Sequence, residues 1–373
     1  MQHQSTHYRE FSHARGIHKH GLAASADVAT LGAGFISGST GMHIRVIGAG
    51  AVGTVLATHL VRAGHTVRLS IREADLPAMQ GVRHLRVDRV TGGPPITVDK
   101  PSLATGIDLE GIDAAFICVK HPDLRSVLDG LGPEIPAGCS LIPCQNGVGA
   151  AQRIRQRFPD TEPVAATVMF NAQTLQPLHA RVTTEPTLLL RSADPALLSL
   201  FDGSGLRVRR VRGEGAAWGK LLLNLANAIC ALTHSTFHDV VSNADLKACF
   251  LAALDEAVAV LQAASAPYRL PASMPYPVFR LLLENAPALA LRASAFHRTA
   301  SSHAYPSMVA DMMLARPTEI DQLNGEIVRL GELSNTPTPV NRCLVAMIRE
   351  REGRQPAEFL APAELRQSLA ASD

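Results

Sequence analysis

Three glycines, Gly48, Gly50 and Gly53, stand at G-x-G-x-x-G spacing within the stretch His43 to Leu60, HIRVIGAGAVGTVLATHL. Such a triplet holds a pyrophosphate through three separate devices. Gly48 permits the tight turn, Gly50 lets the backbone approach the phosphates, and Gly53 lets a helix pack closely on the preceding strand. Free N–H groups and the positive end of the helix dipole then face the anion. The backbone of Gly48, Ala49, Gly50, Ala51, Val52 and Gly53 is therefore expected to line a dinucleotide. Three glycines alone could be an ordinary turn. Here the β-prone run His43 to Ile47 precedes them and helical apolar periodicity follows from Val52 to Leu60, which is the context the fingerprint requires.

After the helix ends at Ala63-Gly64, a second strand is expected over His65 to Ile71 (HTVRLSI). NAD-specific sites place an acid at the end of this strand to bind the ribose 2′-OH. This chain has Ser70 and Arg72 there, with no carboxylate until Glu73. A guanidinium forks onto phosphate oxygens, so the pair suits the 2′-phosphate of NADP(H). A lone arginine is otherwise a surface charge.

Asp113 to Lys120 (DAAFICVK) is a near-continuous apolar run, as a strand covered on both faces should be. It brings Lys120 to the strand edge where ligands of open α/β sheets gather. Cys139 to Gly149 (CSLIPCQNGVG) repeats the arrangement and ends on Gln145-Asn146-Gly147, either a plain turn or an active-site loop. Pro163 to Phe170 and Thr187 to Leu190 read as further strands, the latter antiparallel or at an edge. Beyond Arg212-Gly213-Glu214-Gly215 the pattern changes to long helices.

In that second half, Trp218 to Leu232 (WGKLLLNLANAICAL) is an apolar helix carrying Lys220, Asn224 and Asn227. Lys220 and Asn224 share a face at i, i+4. A snorkelling lysine and capping asparagines would account for them; polar groups serving a cleft would also. Ser307 to Leu330 is the other polar-studded segment. Its Pro317-Thr318-Glu319 resembles a helix start, where Glu319 and Asp321 could merely complement the dipole.

Composition narrows the class. The 373 residues are 46% hydrophobic and 18% charged with a formal net charge of +2, ordinary values for a globular chain and no case for nucleic acid or an anionic membrane. No stretch approaches the roughly 20 uninterrupted apolar residues of a membrane span. The six cysteines form no C-x-x-C pair, which speaks for reduced thiols in a cytoplasmic protein and against a metal site. Residues 1–41 hold His3, His7, His13, His18 and His20 without periodicity and are expected to be a disordered leader. The expected organisation is this leader, a nucleotide-binding domain over 42–211, a helical domain over 212–352 and a peripheral helix or frayed tail over 353–373.

Taken together, the GAGAVG loop, the CVK lysine, the QNG loop, the WGKLLLN helix and the S-x3-D-x5-P-T-E-I-D-x2-N-G segment from Ser307 to Gly325 resemble the ketopantoate reductase (2-dehydropantoate 2-reductase) family. The resemblance runs from about Met42 to about Glu352. It implies an α/β fold: an N-terminal Rossmann dinucleotide-binding domain, then an all-α, 6-phosphogluconate-dehydrogenase-like C-terminal domain, with a cleft between them. It implies hydride transfer from NADPH to the ketone of ketopantoate or a related 2-oxo acid, giving pantoate for pantothenate and coenzyme A synthesis. By position, Lys220 matches the catalytic lysine and Glu319 its glutamate partner. Asn146, Asn224, Ser307 and Lys120 match substrate-site residues, Lys120 and Asn146 also facing the cofactor. The chain departs from the pattern at Ala228 and His238, where the family has asparagines. A sister dehydrogenase of 3-hydroxyacid, glycerol-3-phosphate or opine type, and a non-catalytic NADPH sensor, are the competing readings. The oligomeric state, a homodimer included, stays open.

Overall fold

β1 (His43–Ile47) lies at the centre of a five-stranded, all-parallel sheet because four of its five side chains are buried, leaving only His43 exposed. It pairs on one side with β2 (Thr66–Ser70) and on the other with β6 (Ala114–Ile117). β5 (Ser102–Ala104) lies beyond β2, and β7 (Ser140–Pro143) beyond β6. The chain thus winds outward from β1 in one direction and then in the other. The strand-order reversal falls between β1 and β6, where ligands of such sheets bind, and the glycine loop opens there. The computed structural model describes residues 41–90, 92–270, 274–289 and 305–371. The leader expected over 1–41 lies, except for Gly41, outside the described residues.

A second sheet, absent from the sequence expectations, covers the helix α1 (Ala51–Arg62) that follows the glycine loop. β3 (His84–Arg89) and β4 (Ile96–Asp99) form a hairpin inserted between β2 and β5, and β10 (His179–Val182) and β9 (Ala172–Gln176) extend it. Held between two sheets, α1 is buried continuously from Gly53 to Leu60. Thr187–Leu190 is β11, the middle strand of a third sheet, antiparallel to β8 (Ala166–Val168) and parallel to β12 (Arg207–Arg210).

Beyond Arg210 the regular structure among the described residues is all helix. The single helix expected over Trp218 to Leu232 is α6 (Gly215–Asn224) and α7 (Ala226–Thr233), joined through Leu225, which keeps right-handed helical angles. This 19-residue pair is long and apolar enough to cross a membrane by length and composition, yet 67% of its most apolar 18-residue stretch is buried within the protein. It forms the spine of a core shared with α9 (Ala244–Ala263). Of the two forms expected for residues 353–373, a peripheral helix or a frayed tail, the structure has a helix. Pro362–Ala370 is a helix packed on α9, with Leu365 wholly buried and Leu369 4% exposed. Its two leucines four residues apart insert as one stripe.

Candidate active site

Gly48 has φ +103°, a conformation open to glycine and costly for other residues, and its N–H donates to the Ser70 carbonyl at 2.9 Å. A Cβ at Gly53 would lie 1.8 Å from the Gly48 carbonyl oxygen, so the helix start is seated directly on the loop. At Gly50 the same Cβ would meet no heavy atom within 4 Å. Gly50 is the N-cap residue of α1, whose first turn has no side-chain cap and no acid. Unsatisfied N–H donors beside open space fit a pyrophosphate.

The expected 2′-phosphate pair separates. Ser70 is 4% exposed; its hydroxyl accepts from Arg45 Nε at 2.6 Å and donates to the Gly106 carbonyl at 3.1 Å. Its one donor and one of its two acceptor sites are engaged at the sheet edge, where the side chain is buried. Arg72 follows β2 with its side chain 76% exposed, held by Asp75 at 2.8 Å. An exposed pair of this kind is worth little, so the guanidinium is free to exchange partners.

Lys220, Asn146 and Glu319 come together from three distant segments. The Lys220 ammonium donates to Asn146 Oδ1 at 2.8 Å and to the Val168 carbonyl at 2.6 Å. The Asn146 amide donates in turn to Glu319 Oε2 at 2.9 Å. The asparagine amide fits this position because it accepts from a cation with one end and donates to a carboxylate with the other. Burial pushes the Lys220 pKa down to about 8, while Glu319, and to a lesser degree Cys144, pull it up. Glu319 is 7% exposed and sits at the start of the short turn Ile320–Gln322 rather than in the first turn of a long helix.

Two loops from the parallel sheet fix this arrangement. Gln145 Nε2 donates to the carbonyls of Ile117 and Val119, each at 3.0 Å, stitching the loop after β7 to the loop after β6. Gly147 has φ +81°, and a Cβ there would lie 2.6 Å from the Gln322 carbonyl oxygen. Lys120 stands at the N-cap position of α3 (His121–Gly130) without a side-chain capping bond, and its ammonium meets Asp311 Oδ1 at 2.5 Å. Ser307 is exposed in the first turn of Ser307–Met313, one turn before Asp311 on the same face. Asn224 is half-buried one turn beyond Lys220.

Sequence reasoning missed Asp311, Gln145 and the Val168 carbonyl. The i, i+4 spacing of Ser307 and Asp311 was a usable signal. The Val168 contact, a main-chain atom, leaves none.

Residues 44–194 match the family profile "Ketopantoate reductase PanE/ApbA", and residues 213–352 match "Ketopantoate reductase PanE/ApbA C terminal". A 2-dehydropantoate 2-reductase of Pyrobaculum aerophilum is 29% identical over 311 residues, covering 83% of this chain and 98% of that relative. A crystal structure of a PanE/ApbA family ketopantoate reductase from Ralstonia eutropha superposes with a TM-score of 0.69 at 29% identity, covering 83% of this chain and 98% of the other. A D-mandelate dehydrogenase solved with NADH and anilino(oxo)acetate shares the fold, with a TM-score of 0.69 at 20% identity, covering 83% of this chain and 98% of the other. With both profiles matched across the sheet half and the helical half, the chain belongs to the ketopantoate reductase family of oxidoreductases.

Proposed function

We propose that this protein reduces 2-dehydropantoate, or a closely related 2-oxo acid, to the corresponding 2-hydroxy acid with NADPH. The observation that carries this reading is the hydrogen-bonded chain from Lys220 through Asn146 to Glu319. When bound at the glycine loop, a nicotinamide cofactor supplies the hydride. Reduction of a ketone builds alkoxide charge on oxygen, which needs a preorganised cation and then a proton. The Lys220 ammonium can meet both needs, and a pKa of about 8 leaves it protonated yet ready to donate near neutral pH. Asn146 aims the ammonium, and Glu319 keeps it charged while offering an acceptor for a substrate hydroxyl. Ser307, Asn224 and Lys120 are assigned to the substrate carboxylate and cofactor side of the cleft, and Arg72 alone to the 2′-phosphate.

The same reading places the division between nucleotide-binding and substrate domains near residue 212, the protein in the cytoplasm, and its product in pantothenate and coenzyme A synthesis. Steady-state NADPH oxidation with ketopantoate, set against other 2-oxo acids and against 3-hydroxyacid and glycerol-3-phosphate dehydrogenase substrates, tests it. A clear kcat/KM preference for ketopantoate is expected. Turnover confined to another class would replace this reading with a sister dehydrogenase, and absence of turnover with retained NADPH binding would favour a sensor.

A further inference from the structure

His121 lies next to Lys120 in sequence, is 2% exposed, and has no part in the chemistry above. Its Nε2 is 2.6 Å from the main-chain oxygen of Asn146, the residue that bridges Lys220 and Glu319. A carbonyl oxygen only accepts, so Nε2 carries a proton. The other ring nitrogen, Nδ1, is buried without a hydrogen-bond partner. A buried polar atom left this way is costly and rare unless it has a use.

The charged groups near the ring come from several elements. Glu319 precedes the turn Ile320–Gln322, Glu326 belongs to the helix Asn324–Leu333, Arg153 lies on the helix Ala150–Arg157, and Lys120 is its chain neighbour. Burial is the largest influence and holds the ring's pKa below the ordinary histidine value. The Asn146 carbonyl, Glu319 and Glu326 oppose that effect, while Arg153 reinforces it. His121 also opens α3, where the positive end of the helix dipole disfavours a cation. The resting ring is neutral, with a lone pair on Nδ1 and two carboxylates nearby.

We propose that His121 is a positioning residue for the Lys220–Asn146–Glu319 chain. Its neutral Nε2–H pins the Asn146 main chain so that the asparagine amide bridges the two reacting partners, and a proton taken up at Nδ1 turns the ring into a cation that draws Glu319 away from that amide. The ring therefore lets acid switch the geometry off without touching substrate. This rests on the catalytic role given above to Lys220, which the test separates from it.

Two variants divide the functions. His121→Gln keeps a donor at the reach of Nε2 and cannot take up a proton. It should retain kcat near the optimum within about twofold and lose the histidine-dependent fall in kcat on the acid side. His121→Leu removes the donor and should lower kcat about 2–10-fold at all pH values, the equivalent of one neutral hydrogen bond. Cofactor-free readouts go with these. Imidazole ¹⁵N NMR should show the proton on Nε2 at neutral pH, and an amine-reactive label should modify Lys220 faster in His121→Leu, where the ammonium has lost its fixed acceptor. A proton on Nδ1, or Leu and Gln variants that both keep the unmutated kcat and acid limb, would overturn the proposal. Should the unmutated protein not reduce ketopantoate, the reductase reading fails; the tautomer and the labelling rate still decide the role of His121.

Discussion

Lys120 Nζ and Asp311 Oδ1 meet at 2.5 Å although 191 residues separate them, joining the loop after a sheet strand to a helix of the other half. The Asp311 side chain is 6% exposed while that of Lys120 is 43% exposed. Burial raises the Asp311 pKa, and Lys120 pulls it back. The pair thus leaves the Lys120 ammonium partly exposed and anchors the Asp311 carboxylate inside the protein.

Asp311→Asn keeps the shape and removes the counter-charge. Lys120 should then lose its fixed position, and kcat/KM should drop about 10–100-fold, the range of one charge-assisted hydrogen bond. Steady-state kinetics with varied cofactor and varied 2-oxo acid will show which KM rises. An unchanged kcat/KM would assign the pair to folding alone.

Lys220→Ala should lower kcat about 10²–10⁴-fold, the usual contribution of a general acid, while NADPH binding, followed by fluorescence titration, persists. The same assignment fixes a pH profile. Lys220 donates only when protonated, so the rate of ketone reduction should fall as pH rises through about 8. A flat profile across that range in the chemical step would remove Lys220 from proton transfer.

Arg72→Ala should erode a preference for NADPH over NADH about 10–100-fold if the guanidinium makes a charge-assisted bond to the 2′-phosphate. Asp75→Ala should act oppositely by releasing Arg72 from its present partner. Ser70→Ala gives the contrast: it should leave cofactor preference alone and lower thermal stability, because that hydroxyl bonds to Arg45 and Gly106. The ratio of kcat/KM for the two cofactors and a melting curve distinguish these outcomes.

His59 predicts acid sensitivity of the fold. It is fully buried on α1, and Nδ1 bonds to the Ser204 carbonyl at 2.9 Å. Burial lowers its pKa from 6.5 to about 4. The unfolded chain therefore binds the proton more readily than the folded one. The stability is complete above pH about 6.5 and is lost progressively as pH falls from there towards about 4. The full loss is about 3 kcal/mol from the size of that shift. His59→Asn, which keeps a donor for Ser204, should flatten the dependence of melting temperature on pH over this window. An equal slope in both proteins would contradict the argument.

How much of this was legible in the chain depended on the kind of signal. The glycine loop and strands with continuous apolar runs, such as Ala114–Ile117, announce themselves through period and punctuation. The second sheet does not. β3 carries Arg86, Asp88 and Arg89, and β9 is mostly exposed, so neither has an apolar run to find. Its pairing of β3 with β10 joins segments roughly ninety residues apart, and no local pattern encodes that contact. In the site, Lys220 and Glu319 were recognisable by type and motif, and their connection through Asn146 was not, since three chain segments supply it. At Ser70 the strand-end position was legible, while the bond its hydroxyl accepts from Arg45, 25 residues earlier, was not.

The absent side chain at Gly147 has a consequence for exchanging parts between relatives. Carbon added there would fall 2.6 Å from the Gln322 carbonyl oxygen, a main-chain atom that cannot rotate aside. The seam between the two halves is therefore set with a tolerance smaller than one methyl group at a point one residue from Asn146. A chimera that takes its sheet half from one family member and its helical half from another has to match the path of the backbone at 322 as well as keep the reacting residues. Modularity here ends at an atom of main chain, and the halves are bound to change as a pair.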